Sequence, residues 1–81
     1  MPPQEVYDTL RRRPFVPFRI IVLDGLTVEI RHPEQVIVGL GSITVGIPHD
    51  PSALFYARTE IIALMAISRL VPLDAPTVTS N

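Results

Sequence analysis

The sequence predicts a mainly β domain in which one N-terminal α-helix precedes a small, strongly bent antiparallel β-barrel of five or six strands. Three observations lead there. Phe18 to Arg31 reads Phe-Arg-Ile-Ile-Val-Leu-Asp-Gly-Leu-Thr-Val-Glu-Ile-Arg, two apolar runs flanking Asp24-Gly25, the dipeptide that most readily supplies the positive φ angles of a tight hairpin turn. After that turn Leu26, Val28 and Ile30 alternate strictly with Thr27, Glu29 and Arg31, the period of a half-buried strand. Short apolar runs then follow one another to the end of the chain, and closing them into a barrel removes the exposed edges such a sheet would otherwise carry.

The elements follow in order. Residues 3–12 form an amphipathic helix, with Val6, Tyr7 and Leu10 on one face at helical spacing. Proline is tolerated in its first turn, Glu5 and Asp8 sit toward the positive end of the helix dipole, and Arg11, Arg12 and Arg13 sit at the negative end. Pro14 stops it. A helix of about ten residues is not stable alone in water, so its apolar face must dock on the sheet, over one open end of the barrel. Phe15-Val16-Pro17 is a stiff extended connection, with Phe15 as an anchor under the helix. In the first strand Phe18, Ile20 and Val22 share a face, while Ile21 and Leu23 make the opposite face apolar as well.

His32-Pro33-Glu34 breaks the second strand, since proline cannot donate to a ladder. A third strand spans about 35–40, with Val36 and Val38 on one face, and Gly39-Leu40-Gly41-Ser42 is a turn. Ile43, Val45 and Ile47 alternate with Thr44 and Gly46 as a fourth strand, and Pro48 to Ser52 is a loop by composition. Residues 53–65 are ambiguous: Asp50 before Pro51 resembles a helix N-cap, yet the apolar residues hold no single helical face, which favours a strand over Thr59 to Met65. Ala66 to Val71 is a final strand ended by Pro72. The domain is thus 1–73, and 74–81 is a polar tail.

Composition narrows the function. Eighty-one residues make one domain, and 47% hydrophobic against 19% charged residues is more apolar surface than so small a body hides, which argues for a homo-oligomer or a protein partner. Seven arginines, no lysine and eight carboxylates leave a net charge of −1, so single-stranded RNA could be held only by a local patch. The absence of cysteine excludes disulfides, thiolate catalysis and thiolate metal sites. The first residues lack a signal-peptide pattern, and the longest nearly uncharged apolar stretch, Ile61 to Ser68, is far short of the roughly 20 residues of a membrane span. The expectation is a soluble cytoplasmic protein with no membrane contact.

The order of elements resembles the Sm-like (SH3-like) fold, in particular the bacterial Sm-like RNA chaperones of the Hfq family, in which an N-terminal helix feeds five bent strands. The likeness lies in Leu10-Arg11-Arg12-Arg13, Ile21-Val22-Leu23-Asp24-Gly25 and Ala66-Ile67-Ser68-Arg69-Leu70-Val71-Pro72. Those chaperones carry a Lys-His pair before Ala-Ile-Ser where RNA 3′ ends bind; here Leu64-Met65 stands there instead. The chain is also similar to a family of short uncharacterised bacterial proteins, through Arg13-Pro14-Phe15-Val16-Pro17-Phe18-Arg19, Asp24-Gly25 and Arg31-His32-Pro33-Glu34, a likeness that implies no activity.

Candidate sites are few. Arg11, Arg12 and Arg13, reinforced by Arg19, form an anion or RNA patch on one reading and a cationic helix end on the other. His32 with Glu34 and Arg31 is the most chemically loaded cluster; a metal-dependent enzyme would need His49 and Asp50 to converge on it, because metal sites take three or four ligands. The alternative for that cluster is a solvated polar turn. Gly39-Leu40-Gly41 lacks the third glycine and following helix of a phosphate loop, and Ser42, Ser52 and Ser68 lack a relay. Phe55-Tyr56 would stack a base or pack in an interface. No residue is assigned as catalytic, cofactor-binding or metal-ligating. In Sm-like rings the last two strands pair with neighbouring subunits, and the resemblance puts Ile62, Leu64 and Leu70 in such an interface. The leading expectation is a non-enzymatic, homo-oligomeric binding or scaffolding module; the alternatives are an Sm-like RNA-binding protein and a metal-dependent enzyme using His32 and Glu34.

Overall fold

Helix α1 (Pro3–Arg11) opens with a proline at its first position and buries Val6 and Leu10, one turn apart. Removing those two side chains from water contributes about 1.5–3 kcal/mol each, which a nine-residue helix needs in order to exist. Tyr7 stays exposed, its ring 5.5 Å below the Arg11 guanidinium. The helix ends one residue earlier than the spacing suggests, because Arg12 is already extended. This computed structural model describes residues 1–50 and 55–73.

Strands β1 (Phe18–Val22) and β2 (Thr27–Ile30) form the expected hairpin, with Ile20 opposite Val28 and Arg19 opposite Glu29. The loop differs in detail from a two-residue turn. Gly25 alone takes a positive φ, 99°, while Leu23 and Asp24 stay negative, and the Asp24 carboxylate accepts from the Leu26 N–H at 3.0 Å. Phe18, Ile20, Val22, Val28 and Ile30 point inward as the alternation predicts. Phe15 packs edge-on against Phe18, ring centroids 6.1 Å apart.

A 3-10 turn at Pro33–Gln35 then takes Gln35 out of the third strand, so β3 is only Val36–Val38 rather than 35–40. β4 (Ser42–Pro48) pairs with β3 and with β5 (Tyr56–Ala63), which begins three residues before the expected Thr59. A second 3-10 turn, Leu64–Ala66, carries the chain into β6 (Ile67–Pro72), and β6 returns to pair with β1. The helical alternative for 53–65 fails from Tyr56 onward; Pro51 to Leu54 and the expected tail 74–81 lie outside the described residues.

Six strands thus make two antiparallel sheets of three, ordered β2-β1-β6 and β3-β4-β5. Their inner faces and α1 enclose one core, in which Val6, Phe18, Ile20, Ile30, Ile43 and Val45 are almost wholly buried. Among the described residues no strand pairing joins the two sheets. No helix among them is long and apolar enough to cross a membrane.

Candidate functional site

Hydrogen-bond parity decides which strand edges are open. In antiparallel pairs the N–H and C=O of alternate residues face opposite edges. The carbonyls of Ser42 and Gly46 accept bonds from the β3 side, so Ile43, Val45 and Ile47 face β5. Their partners Ile62, Glu60 and Arg58 face back, leaving the backbone of Thr59, Ile61 and Ala63 pointing away from the sheet. The same reasoning turns Arg69 and Val71 of β6 toward β1 and Leu70 outward. β5 and β6 are therefore both edge strands with unpaired backbone groups among the described residues.

Among the described residues, no charge or proline on the outer face of β5 protects that edge. The side chains on its outer face, Thr59, Ile61 and Ala63, are uncharged, and Ile61 is 74% exposed. Ile61 continues a row through Thr44 to Ile37, itself 70% exposed. Natural edges usually carry a charge, a proline or a cover, and an apolar edge without them is a template on which another strand can pair. Two of the three interface residues expected from the sequence lie elsewhere. Ile62 and Leu64 are 5% and 4% exposed in the chain's own core, because antiparallel partners share a face and Ile62 sits opposite the wholly buried Ile43. Leu70 stays at the edge, half-buried, and Ile61 and Met65 take the exposed positions.

The second feature is the seam where the sheets part. Gln35, only 4% exposed, fills it at one end. Its Oε1 accepts from the N–H groups of Arg31 (2.8 Å) and His32 (3.3 Å), and its Nε2 donates to the carbonyls of Glu29 (3.1 Å) and Gly46 (3.0 Å). That is the full bonding capacity of a carboxamide, and it ties β2 to β4. Sequence reading passed over Gln35 as the start of a strand. The available signal was a glutamine three residues after a turn-starting position followed by proline, the place from which such a side chain reaches back to the turn's first N–H. Beyond Gln35 the seam opens into a cleft of about 320 Å³ between Thr27, Val28 and Glu29 on one side and Ile47, Pro48 and Arg58 on the other.

The arginines do not form one patch. Because the chain is extended from Arg12, successive side chains alternate: Arg11 and Arg13 line a groove with Glu34, while Arg12 lines a different one with Arg69. Arg19 is engaged elsewhere, 2.8 Å from the Glu29 carboxylate, which also takes Arg31 at 3.0 Å. The hydrogen bond from Arg19, then that from Arg31, hold the Glu29 carboxyl below its ordinary range.

His32 and Glu34 do not meet His49 and Asp50. Glu34 lines the groove beside Arg11, whereas His49 and Asp50 border the seam cleft. Among the described residues no three histidines or carboxylates are grouped to hold a metal ion. Tyr56 lies against Gly46, where a Cβ would come within 2.7 Å of its ring, so it covers a gap in the sheet, while Phe55 is 81% exposed. Compared with protein-family models, curated proteins and solved structures, the chain matches none.

Proposed function

We propose that the protein is a non-enzymatic, homo-oligomeric binding or scaffolding module, an Sm-like β-barrel whose subunits join by pairing the outer edge of β5 with the outer edge of β6 in a neighbouring copy. The observation that carries this reading is the pair of bare edges: backbone of Thr59, Ile61 and Ala63 on one, of Leu70 on the other. Support for the barrel comes from the route of the chain, in which a 3-10 turn after β5 sends β6 back to pair with β1. Both edges are antiparallel; the outer face of β5 is uncharged and that of β6 carries the exposed Arg69, which can stay in solvent, so pairing them satisfies backbone groups without burying an unpaired charge.

Native mass spectrometry of the wild type and of Ile61→Glu tests it. The expected result is a defined oligomer for the wild type and a folded monomer for the variant, with unchanged far-UV circular dichroism. A monomeric wild type, or a variant that still assembles, overturns the reading.

A second reading, binding of single-stranded RNA, is favoured by one observation: no ion pair among the described residues engages Arg12, Arg13 or Arg69. It predicts affinity that falls with salt and weakens when Arg12 and Arg69 are both neutralised. Binding indifferent to salt removes it.

A further inference from the structure

We infer that β5 joins β6 of a second copy antiparallel and in one register, Thr59 opposite the partner's Leu70, and that an ion pair between Glu60 and the partner's Arg69 selects it. The inference rests on the oligomer reading above and specifies how its two edges meet.

Backbone parity limits the registers. The Leu64 N–H donates to the Gly41 carbonyl at 3.0 Å, and the same alternation along β4 and β5 leaves the backbone of Thr59 and Ile61 on the outer edge. On β6 the Leu73 N–H donates to the Pro17 carbonyl at 2.9 Å, which leaves Leu70 and Pro72 outward. An antiparallel ladder sets outward residues opposite outward residues, so Leu70 can stand opposite Ala57, Thr59, Ile61 or Ala63 and nothing between.

Side chains choose among these. Leu70 lies opposite the buried Ile20, so Arg69 is on the other face of β6. Across an antiparallel joint that face continues into the side of β5 that carries Arg58, Glu60 and Ile62. The four registers therefore set Arg69 opposite Arg58, Glu60, Ile62 or Leu64 in turn. Arg58 repels it, and Ile62 and Leu64 lie in an apolar core that would strip it of water. Glu60 remains. Its Oε2 holds Arg58 at 2.9 Å, its side chain is 37% exposed, and no ion pair among the described residues engages Arg69. A carboxylate can take two guanidinium groups, as Glu29 does with Arg19 at 2.8 Å and Arg31 at 3.0 Å. The same register sets the exposed Ile61 diagonal to Leu70 on the opposite face, and it puts Pro72, which has no N–H to give, opposite Ala57 near the end of β5. A parallel joint would instead leave Arg69 on the face away from Glu60.

Charge-swapped chains, read by native mass spectrometry and sedimentation velocity, test it. Glu60→Arg and Arg69→Glu should each weaken assembly about ten-fold with unchanged far-UV circular dichroism, and the double variant Glu60→Arg/Arg69→Glu should recover most of the loss. Register is read by cysteine pairs, because the chain has no cysteine of its own. Arg58→Cys with Val71→Cys should form disulfides between copies, since this register makes 58 and 71 a close non-hydrogen-bonded pair. Two results overturn the inference and leave the oligomer reading standing: an assembled wild type whose double variant stays dissociated, or a Val71→Cys that cross-links to Glu60→Cys or Ile61→Cys in preference to Arg58→Cys. A monomeric wild type removes both.

Discussion

Replacing Gln35 by leucine isolates what holds the two sheets in register. Leucine is close in volume, so the change leaves little cavity and removes four hydrogen bonds at once. At about 1 kcal/mol for each bond the loss is about 4 kcal/mol, reduced where water from the cleft can reach the Glu29, Arg31 and His32 groups. The Gly46 carbonyl is buried and gains no such relief, so it alone costs about 1–3 kcal/mol. The net expectation is about 2–4 kcal/mol, against a total of roughly 4–12 kcal/mol for a chain of this length. That corresponds to a melting temperature lower by about 10–25 °C. Urea denaturation followed by far-UV circular dichroism, with thermal melts, reads it directly; a cost under about 1 kcal/mol would show that Gln35 only fills space. Gln35→Glu adds a pH signature. A carboxylate there would face two carbonyls in a buried site, raising its folded-state pKa above the unfolded value. The sign follows: this variant approaches wild-type stability at low pH and loses it as pH rises through the raised pKa.

Three further outcomes are expected. Ile62→Ala and Leu64→Ala should each cost about 2–5 kcal/mol in denaturant titrations, whereas Ile61→Ala changes monomer stability little; the reverse order would refute the assignment of β5's inner face. Gly46→Ala should destabilise because its Cβ meets the Tyr56 ring, and Tyr56→Ala should rescue it; a double-mutant cycle with no coupling would show that the ring moves aside freely. Glu29 should titrate below the usual carboxylate range, with Arg19→Ala and Arg31→Ala each raising its midpoint. Its stabilising effect is then present above the unfolded pKa and lost as pH falls through the lowered one, as side-chain carboxyl NMR would show.

Periodicity made the mainly β class, the Val6–Leu10 side of the helix and the first hairpin legible, because each rests on alternation within one short segment; Tyr7, expected on that helix face, is exposed. It failed where a neighbour decides. Ile61 and Ile62 are adjacent and equally apolar, so their own segment cannot say which points inward; the register against Ile43 does. The run Arg11-Arg12-Arg13 looks like one patch in one dimension, but an extended backbone from Arg12 sends consecutive side chains to different grooves. Gln35 was invisible for a related reason: its worth lies in four backbone partners, one of them eleven positions away on another sheet.

The four outer edges of the two sheets are treated unequally among the described residues. β2 is blunted at one end by the Gln35 carboxamide, and β3 has α1 packed beside it, where Val38 and Tyr7 share a groove. A single lysine or proline at position 59 or 61 would blunt β5 in the same way. Instead the longest strand of the fold, eight residues, presents threonine, isoleucine and alanine on its outer face. β6 is partly guarded, with Arg69 exposed on its outer face and Pro72 at its outward edge, so among the described residues β5 is the least guarded edge and the first place to test the proposed assembly.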